Sequence, residues 1–246
     1  MALPTVTIHD AYWGSDDHGH GDVIGGTTFI IHDMDVTLTG SILNVQINTN
    51  YAGHTNLYGT GYGDLFLSSA WTPFGTGPEY VHDDNATGTK WTYGLSIDND
   101  VFNQDGSINK GSSTRYNNNT GGNASLFQLN GATNNDNALL SEDVINPHYI
   151  FRNGQEVIVD TTANSPVADT GIDGNWSIDA NNFINFNIDL AGTDLLLGDE
   201  IALHWGMTCG NDTIEGAYGI GVPAPGILLL LSTGLIGIFA VSRRRA

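Results

Sequence analysis

The chain is short of positive charge. Seven Lys and Arg stand against 27 Asp and Glu in 246 residues, for a formal net charge of -20. Phosphate contacts need a basic face, so the balance argues against any nucleic-acid partner. The chain is also short of thiols. A single cysteine, Cys209, excludes an internal disulfide framework and a thiolate zinc cluster within the chain. Glycine is abundant at 32 residues, but the Gly-X-Y period is missing, which excludes collagen. Helical periodicity is missing too: before the C-terminal tail only Ala138 to Val144 suggests a helical turn. An exported chain carries a signal peptide with a basic start and an apolar stretch of about 7–15 residues. Met1 to Val6 has neither, and the expectation is a trimmed chain or a start placed too late.

What is present is enough to bury a core. Hydrophobic residues make up 40%, with 5 Trp, 9 Tyr and 9 Phe, the opposite of a disordered acidic segment. Alternation and turn residues recur from Val6 to Cys209. Thr27 to Leu38, Ser41 to Asn48 and Asp64 to Trp71 read as strands, with Thr39-Gly40 turning the first into the second. Tyr149 to Asp160 reads as a hairpin about Asn153-Gly154, and Trp176 to Leu190 as another about Ala180 to Asn182. Glu200 to Cys209 reads as a further strand. Asp98 to Gly122 and Asn130 to Asn137 are polar, Asn/Gly-rich loops. Many short strands at this spacing predict an all-β antiparallel sandwich of jelly-roll type over residues 1–221, soluble and monomeric, followed by one C-terminal apolar helix within residues 222–246.

The tail, Val222 to Ala246, has three parts in order. Val222-Pro223-Ala224-Pro225 is rigid and extended, because each Pro fixes its own φ and restricts the residue before it. Gly226 to Val241 is uncharged and apolar. Arg243, Arg244 and Arg245 form a basic stop and hold three of the chain's seven cations. A spanning helix needs roughly 20 apolar residues, about 17 at the lower end, which Ala224 to Ser242 meets. The Arg cluster then stays cytoplasmic and the globular part lies outside. This ordered series resembles the PEP-CTERM sorting signal of Gram-negative bacteria. The motif here is Val-Pro-Ala-Pro, with Ala224 where the family usually has Glu. The resemblance implies processing near the Pro motif by an exosortase, a membrane cysteine protease-transpeptidase, and delivery to the cell surface or extracellular matrix. Two further segments, Trp13 to Gly25 and His204 to Asp212, are similar to parts of exosortase-dependent surface proteins. That similarity implies a surface location and brings no defined activity.

The candidate sites are of three kinds. Asp16, Asp17 and Asp22, with His18 and His20, crowd one Gly-rich loop; Asp98, Asp100 and Asp105 stand in a second. Carboxylates suit Ca²⁺ and imidazoles suit transition metals, while neither loop has EF-hand spacing. Solvated turns with Asp side chains on backbone N–H groups are the competing account. Trp13, Trp71 and Trp91 lie near Gly-rich loops, where they could stack on a sugar, or they could be core. Cys209 and His204 fall five apart on one expected strand and therefore face opposite sides, which argues against a nucleophile–base pair. Asp212 and Glu215 match only part of a jelly-roll glucanase motif, with Gly210 where its first carboxylate belongs, and a retaining glycosidase needs both. The reading is a non-enzymatic surface protein; the alternative is a carbohydrate-binding module for exopolysaccharide.

Overall fold

The computed structural model describes residues 3–13, 23–24, 26–54, 57–75, 79–80, 82–98, 102–103, 107–117, 120–130, 137–144, 152–162 and 164–220. The expected apolar helix, the Val222–Pro225 motif and Arg243, Arg244 and Arg245 lie outside these residues, as do Asp16, Asp17, Asp22, Asp100 and Asp105. Among the described residues no helix is long and apolar enough to cross a membrane.

The protein is all-β. In chain order the strands are β1 (Val6–His9), β2 (Tyr12–Trp13), β3 (Ile31–Thr39), β4 (Ile42–Thr49), β5 (Leu65–Ser68), β6 (Glu79–Tyr80) and β7 (Tyr93–Ser96), then β8 (Gly121–Gln128) and β9 (Ala138–Leu140). β10 (Glu156–Val159), β11 (Ala168–Ile178), β12 (Phe183–Asp189), β13 (Glu200–Gly206) and β14 (Thr213–Gly219) complete the series. Among the described residues two single α-helical turns interrupt it, α1 (Thr114–Asn117) and α2 (Ser141–Val144), with 3₁₀ turns at Thr27–Phe29, Leu57–Gly59 and Asp194–Leu196. Ten strands form one sheet in the order β1-β3-β4-β12-β11-β8-β7-β5-β13-β14, antiparallel throughout.

The expected jelly-roll sandwich needs two facing sheets of several strands, and here ten strands belong to one sheet, with β9–β10 and β2–β6 as separate two-stranded ribbons. Strand twist curls the sheet until its two ends meet, so it is nearly closed into a barrel. The seam is held by Tyr218 of β14, whose hydroxyl donates to the Pro4 carbonyl at 3.1 Å and accepts from the Leu38 amide at 3.3 Å. Close approach at the seam requires glycine. A Cβ on Gly216 of β14 would fall 2.5 Å from Cγ2 of Ile8 in β1. Bringing the ends together lays the two edge strands against each other, which limits their use as templates for pairing with other chains.

The outer faces of the two halves differ. On β3, β4 and β12 alternation is clean, with Met34, Val36, Leu43, Val45, Ile47, Ile184, Phe186 and Ile188 inside and polar residues out. Each fully buried aliphatic or Phe side chain contributes about 1.5–3 kcal/mol relative to exposure. β5, β7 and β10 are buried on both faces. A second apolar layer explains this: Phe66, Trp91, Phe127, Ala138, Val159 and Ala202 pack on the far side of the sheet, under the β9–β10 ribbon. Gly154 takes the positive φ expected of the turn, and β10 pairs with β9. The first arm of the expected hairpin, Tyr149 to Phe151, lies outside the described residues.

Two of the four basic residues that precede the tail are fully buried. Arg115 pairs with Asp64 at 2.9 Å and Arg152 with Asp212 at 3.3 Å. Asp212 also accepts from the amide of Ile31, pinning the start of β3.

Candidate functional site

The half of the sheet left uncovered carries rows of amides and hydroxyls. Strand period two sends Asn44, Gln46 and Asn48 of β4 outward, with Asn185 and Asn187 of β12 beside them. Register then aligns these residues across strands. One rung runs Thr37, Asn44, Asn187, Asn175; the next runs Asp35, Gln46, Asn185, Ser177. Within each rung a side-chain hydrogen bond ties β4 to β12. Nδ2 of Asn187 donates to Oδ1 of Asn44 at 2.6 Å, and Nε2 of Gln46 donates to Oδ1 of Asn185 at 2.9 Å. At the β1 side, the Thr7 hydroxyl donates to Oδ1 of Asp35 at 2.5 Å.

A groove of about 420 Å³ lies on these rungs. A second of about 370 Å³ continues past the strand ends, lined by Asn48, Asn50, Thr27, His54, Asn181 and Asn182. Asn182 holds the β11–β12 turn at φ 62°, a left-handed conformation that Asn tolerates. Asn50 is fixed by donating to the Thr27 carbonyl at 2.7 Å. Together the grooves make a polar track along β4 and β12, whose third rung, Asp33, Asn48 and Phe183, brings a carboxylate bonded to Asn48 and a half-buried aromatic to the same face. Asp35 is the sole carboxylate in their lining, and Lys and Arg are absent from it. Each amide both donates and accepts, so the track can exchange hydrogen bonds with a neutral, hydroxyl-rich surface without burying a charge.

The densest group of titratable side chains is closed in. His204 of β13 has Nδ1 3.0 Å from Oε1 of Glu215 and Nε2 2.8 Å from the Glu156 carbonyl. Both nitrogens face acceptor oxygens, an arrangement that favours a ring protonated on both. Burial opposes that charge, but the hydrogen bond and charge of Glu215, with Glu156, outweigh it and raise the His204 pKa. The indole Nε1 of Trp71 donates to the other Glu215 oxygen at 3.3 Å. Asp83 accepts from the Phe74 amide, and burial with the nearby Glu215 charge pushes its carboxyl up to about 7. Asp83, His204 and Glu215 are all buried, and the partners of His204 and Glu215 tie β13, β14, β10 and the Trp71 loop together.

The expected site residues distribute as follows. Trp13 is buried, stacked on Tyr80 at 4.0 Å with 2° between planes, and Trp91 is buried 5.4 Å from the His204 ring. Of the two readings the sequence leaves open for these residues, they take the core one: their faces are spent inside the protein. Trp71 is half-buried over the same group. Asp98 accepts from the Ser113 hydroxyl at 2.5 Å and the Thr114 amide at 2.6 Å, which ties it to the first turn of α1. Among the described residues no group of three or more His, Cys, Asp or Glu stands where it could hold a metal ion. Cys209 is buried, which pushes its thiol up to about 11, and both nitrogens of His204 are directed at Glu215 and Glu156. Asp212 turns to Arg152 and Ile31, while Glu215 turns to His204.

Sequence reasoning passed over the amide track. Its signal is the alternation Asn44-Val45-Gln46-Ile47-Asn48-Thr49-Asn50, echoed by Asn185-Phe186-Asn187, in which outward positions are repeatedly amides rather than charges. Comparison with family models, with curated proteins and with solved structures finds no match.

Proposed function

We propose that this chain is a non-enzymatic surface or extracellular-matrix protein, exported and sorted by its C-terminal tail. The observation that carries the proposal is the order of Val222-Pro223-Ala224-Pro225, an apolar run to Val241 and Arg243–Arg245. The apolar run has the length of a short spanning helix, and the Arg cluster orients it with the folded part outside. The partner is an exosortase-type processing enzyme acting near the Pro motif. The layout of the fold is in keeping with this. β14 ends at Gly219, and the Ile220 amide makes the closing bond to the Asp199 carbonyl, two residues before Val222. A cut near the Pro motif therefore leaves every pairing of the sheet in place. The test is intact-mass analysis of protein recovered from the surface of native cells. The expected C-terminus falls between Val222 and Gly226; surface protein that retains Arg243 to Ala246 overturns the proposal.

The second reading is a carbohydrate-binding module for exopolysaccharide. What favours it is the amide track on β4 and β12, the polar face that the protein's own ribbons leave uncovered.

A further inference from the structure

We infer that the β4–β12 track is a docking surface for an extended, uncharged polysaccharide, laid along the strands with its hydroxyls on the amide rungs. The inference rests on the carbohydrate-binding reading and gives it a place, a direction and a ligand class.

The direction comes from the grooves. The first lies over Asn44 and Gln46, and the second begins at Asn48 and Asn50 of the same segment. At roughly 3.4 Å per residue, Asn44 to Asn50 spans about 20 Å, the length of an oligosaccharide rather than a single sugar. Outward side chains recur about every 7 Å along a strand and neighbouring strands lie about 5 Å apart, so a glycan meets a fresh pair of amides at intervals comparable with one sugar ring. The paired amides Asn44–Asn187 and Gln46–Asn185 are held by one another, so little side-chain freedom is lost on binding.

The ligand class comes from charge and from apolar content. A polyanion would meet a chain of net charge -20 and a track without a cation. A protein partner takes its affinity from buried aromatic, aliphatic or Arg anchors. Among the described residues the exposed large apolar side chains are Tyr58, Phe74 and Leu197, none of which lines the track; Phe183 beside Asn48 is half-buried, and Val45 and Phe186 form the floor and are themselves buried. A neutral glycan needs neither cation nor anchor. It needs closely spaced groups that donate and accept, and these are what the rungs present. With no exposed aromatic among the residues that line the grooves, binding to one short oligosaccharide is weak and grows with polymer length as successive rungs engage.

The test uses the full-length chain in non-ionic detergent, run through native gels cast with mixed-linkage β-glucan, xylan, galactomannan or dextran, and with alginate as the anionic control. At least one neutral polymer should retard the protein, and alginate should not. Asn44→Ala/Asn187→Ala and Gln46→Ala/Asn185→Ala should each weaken the retardation about tenfold, as expected for one or two lost hydrogen bonds. Asp169→Ala, on the exposed part of β11, should leave it unchanged. All four sites are solvent-facing, and circular dichroism melts verify that the variants fold. Retardation by no neutral polymer, equal retardation by alginate, or double variants that bind like the parent each overturn the inference. Sedimentation velocity covers another occupant: self-association that the double variants abolish gives the face to a second copy of the chain. The sorting proposal is judged separately. A tail left intact on cells refutes sorting and leaves glycan binding standing, whereas a trimmed tail with no retardation does the reverse.

Discussion

Asp64 offers the sharpest test of how the barrel is held. Its carboxylate is fully buried and joins three parts of the fold. Oδ1 accepts from Nη2 of Arg115 at 2.9 Å and from the Ile97 amide, just past β7, at 3.0 Å. Oδ2 accepts from the Val159 amide of β10 at 2.7 Å. Asp64→Asn keeps the volume but sets an amide donor against one of these donors and strips Arg115 of its counter-charge. Removing one partner of a buried pair costs about 3–5 kcal/mol. At this chain length each kcal/mol moves the melting temperature by roughly 2–4 °C, so a fall of about 6–20 °C is expected in scanning calorimetry. A fall below about 3 °C would refute the reasoning. A companion variant separates charge from packing. In Arg115→Met the guanidinium is gone and Asp64 is left as an uncompensated anion. Burial already pushes the Asp64 carboxyl up, and the Arg115 charge pulls it back, so the variant raises it further. A carboxyl raised on folding destabilises most above its folded pKa and recovers as it takes a proton. The gap between parent and Arg115→Met should therefore narrow from pH 8 to pH 4.5. A gap that stays constant assigns the loss to the packing of the arginine stem.

Three further outcomes follow from named contacts. Asp83 and His204 both have folded pKa values raised above their unfolded ones, so each contributes stability that is present at low pH and lost as pH rises. The Asp83 share is lost between about pH 4 and 7 and the His204 share above pH 6.5, so melting temperature should fall across pH 5–8, and Asp83→Asn should flatten the lower part of that fall. Gly63→Ala would place a Cβ 2.0 Å from the Gly206 carbonyl oxygen, for a loss of about 3 kcal/mol or more in urea titrations, whereas Gly219→Ala, with open space around it, should stay within about 0.5 kcal/mol. Asp98→Asn weakens the hold on Ser113 and Thr114 at α1 and should lower the melting temperature equally in Ca²⁺ and in NaCl of matched ionic strength; a loss seen only in Ca²⁺ would make Asp98 a ligand.

Strands with one wet face show their period in the sequence. Leu43, Val45 and Ile47 alternate with Asn44, Gln46 and Asn48 because solvent lies on one side of β4, and the turn at Gly40 is fixed by its left-handed φ of 63°. β5 and β13, covered on both faces, are legible as apolar runs, whereas β7 escapes notice because Tyr93 to Ser96 is buried throughout and shows no period two. β14 was hidden by Gly216 and Gly219, which read as turn residues although Gly216 is there to admit Ile8. The choice between sandwich and barrel depends on Tyr218 reaching Pro4 across 214 residues of sequence, a contact that no local pattern announces. For the site, aromatic residues near glycines attracted the sugar-binding reading, yet Trp13 and Trp91 are needed inside to cover a sheet that is wet on only one half. The amides carry the proposed track because they repeat at the strand period on a face lined by grooves among the described residues.

The placement of charge gives the neutral track its meaning. Arg115 and Arg152 are drawn inside to neutralise Asp64 and Asp212, and Lys110 lies with its ammonium on the Gly59 carbonyl and over the Tyr116 ring. What remains outside is dominated by carboxylates, including Asp33 and Asp189 at the margins of β4 and β12. Such a rim repels polyanions and other copies of the chain, with a reach set by a Debye length of about 8 Å at physiological salt. Inside the rim the track is almost uncharged, so a neutral polymer crosses the field without penalty and finds paired amides. Discrimination is a difference between two free energies, and it is built here mostly from the repulsive one. The amide rungs supply attraction that any hydroxylated chain could use; the surrounding carboxylates decide which chains come close enough to use it.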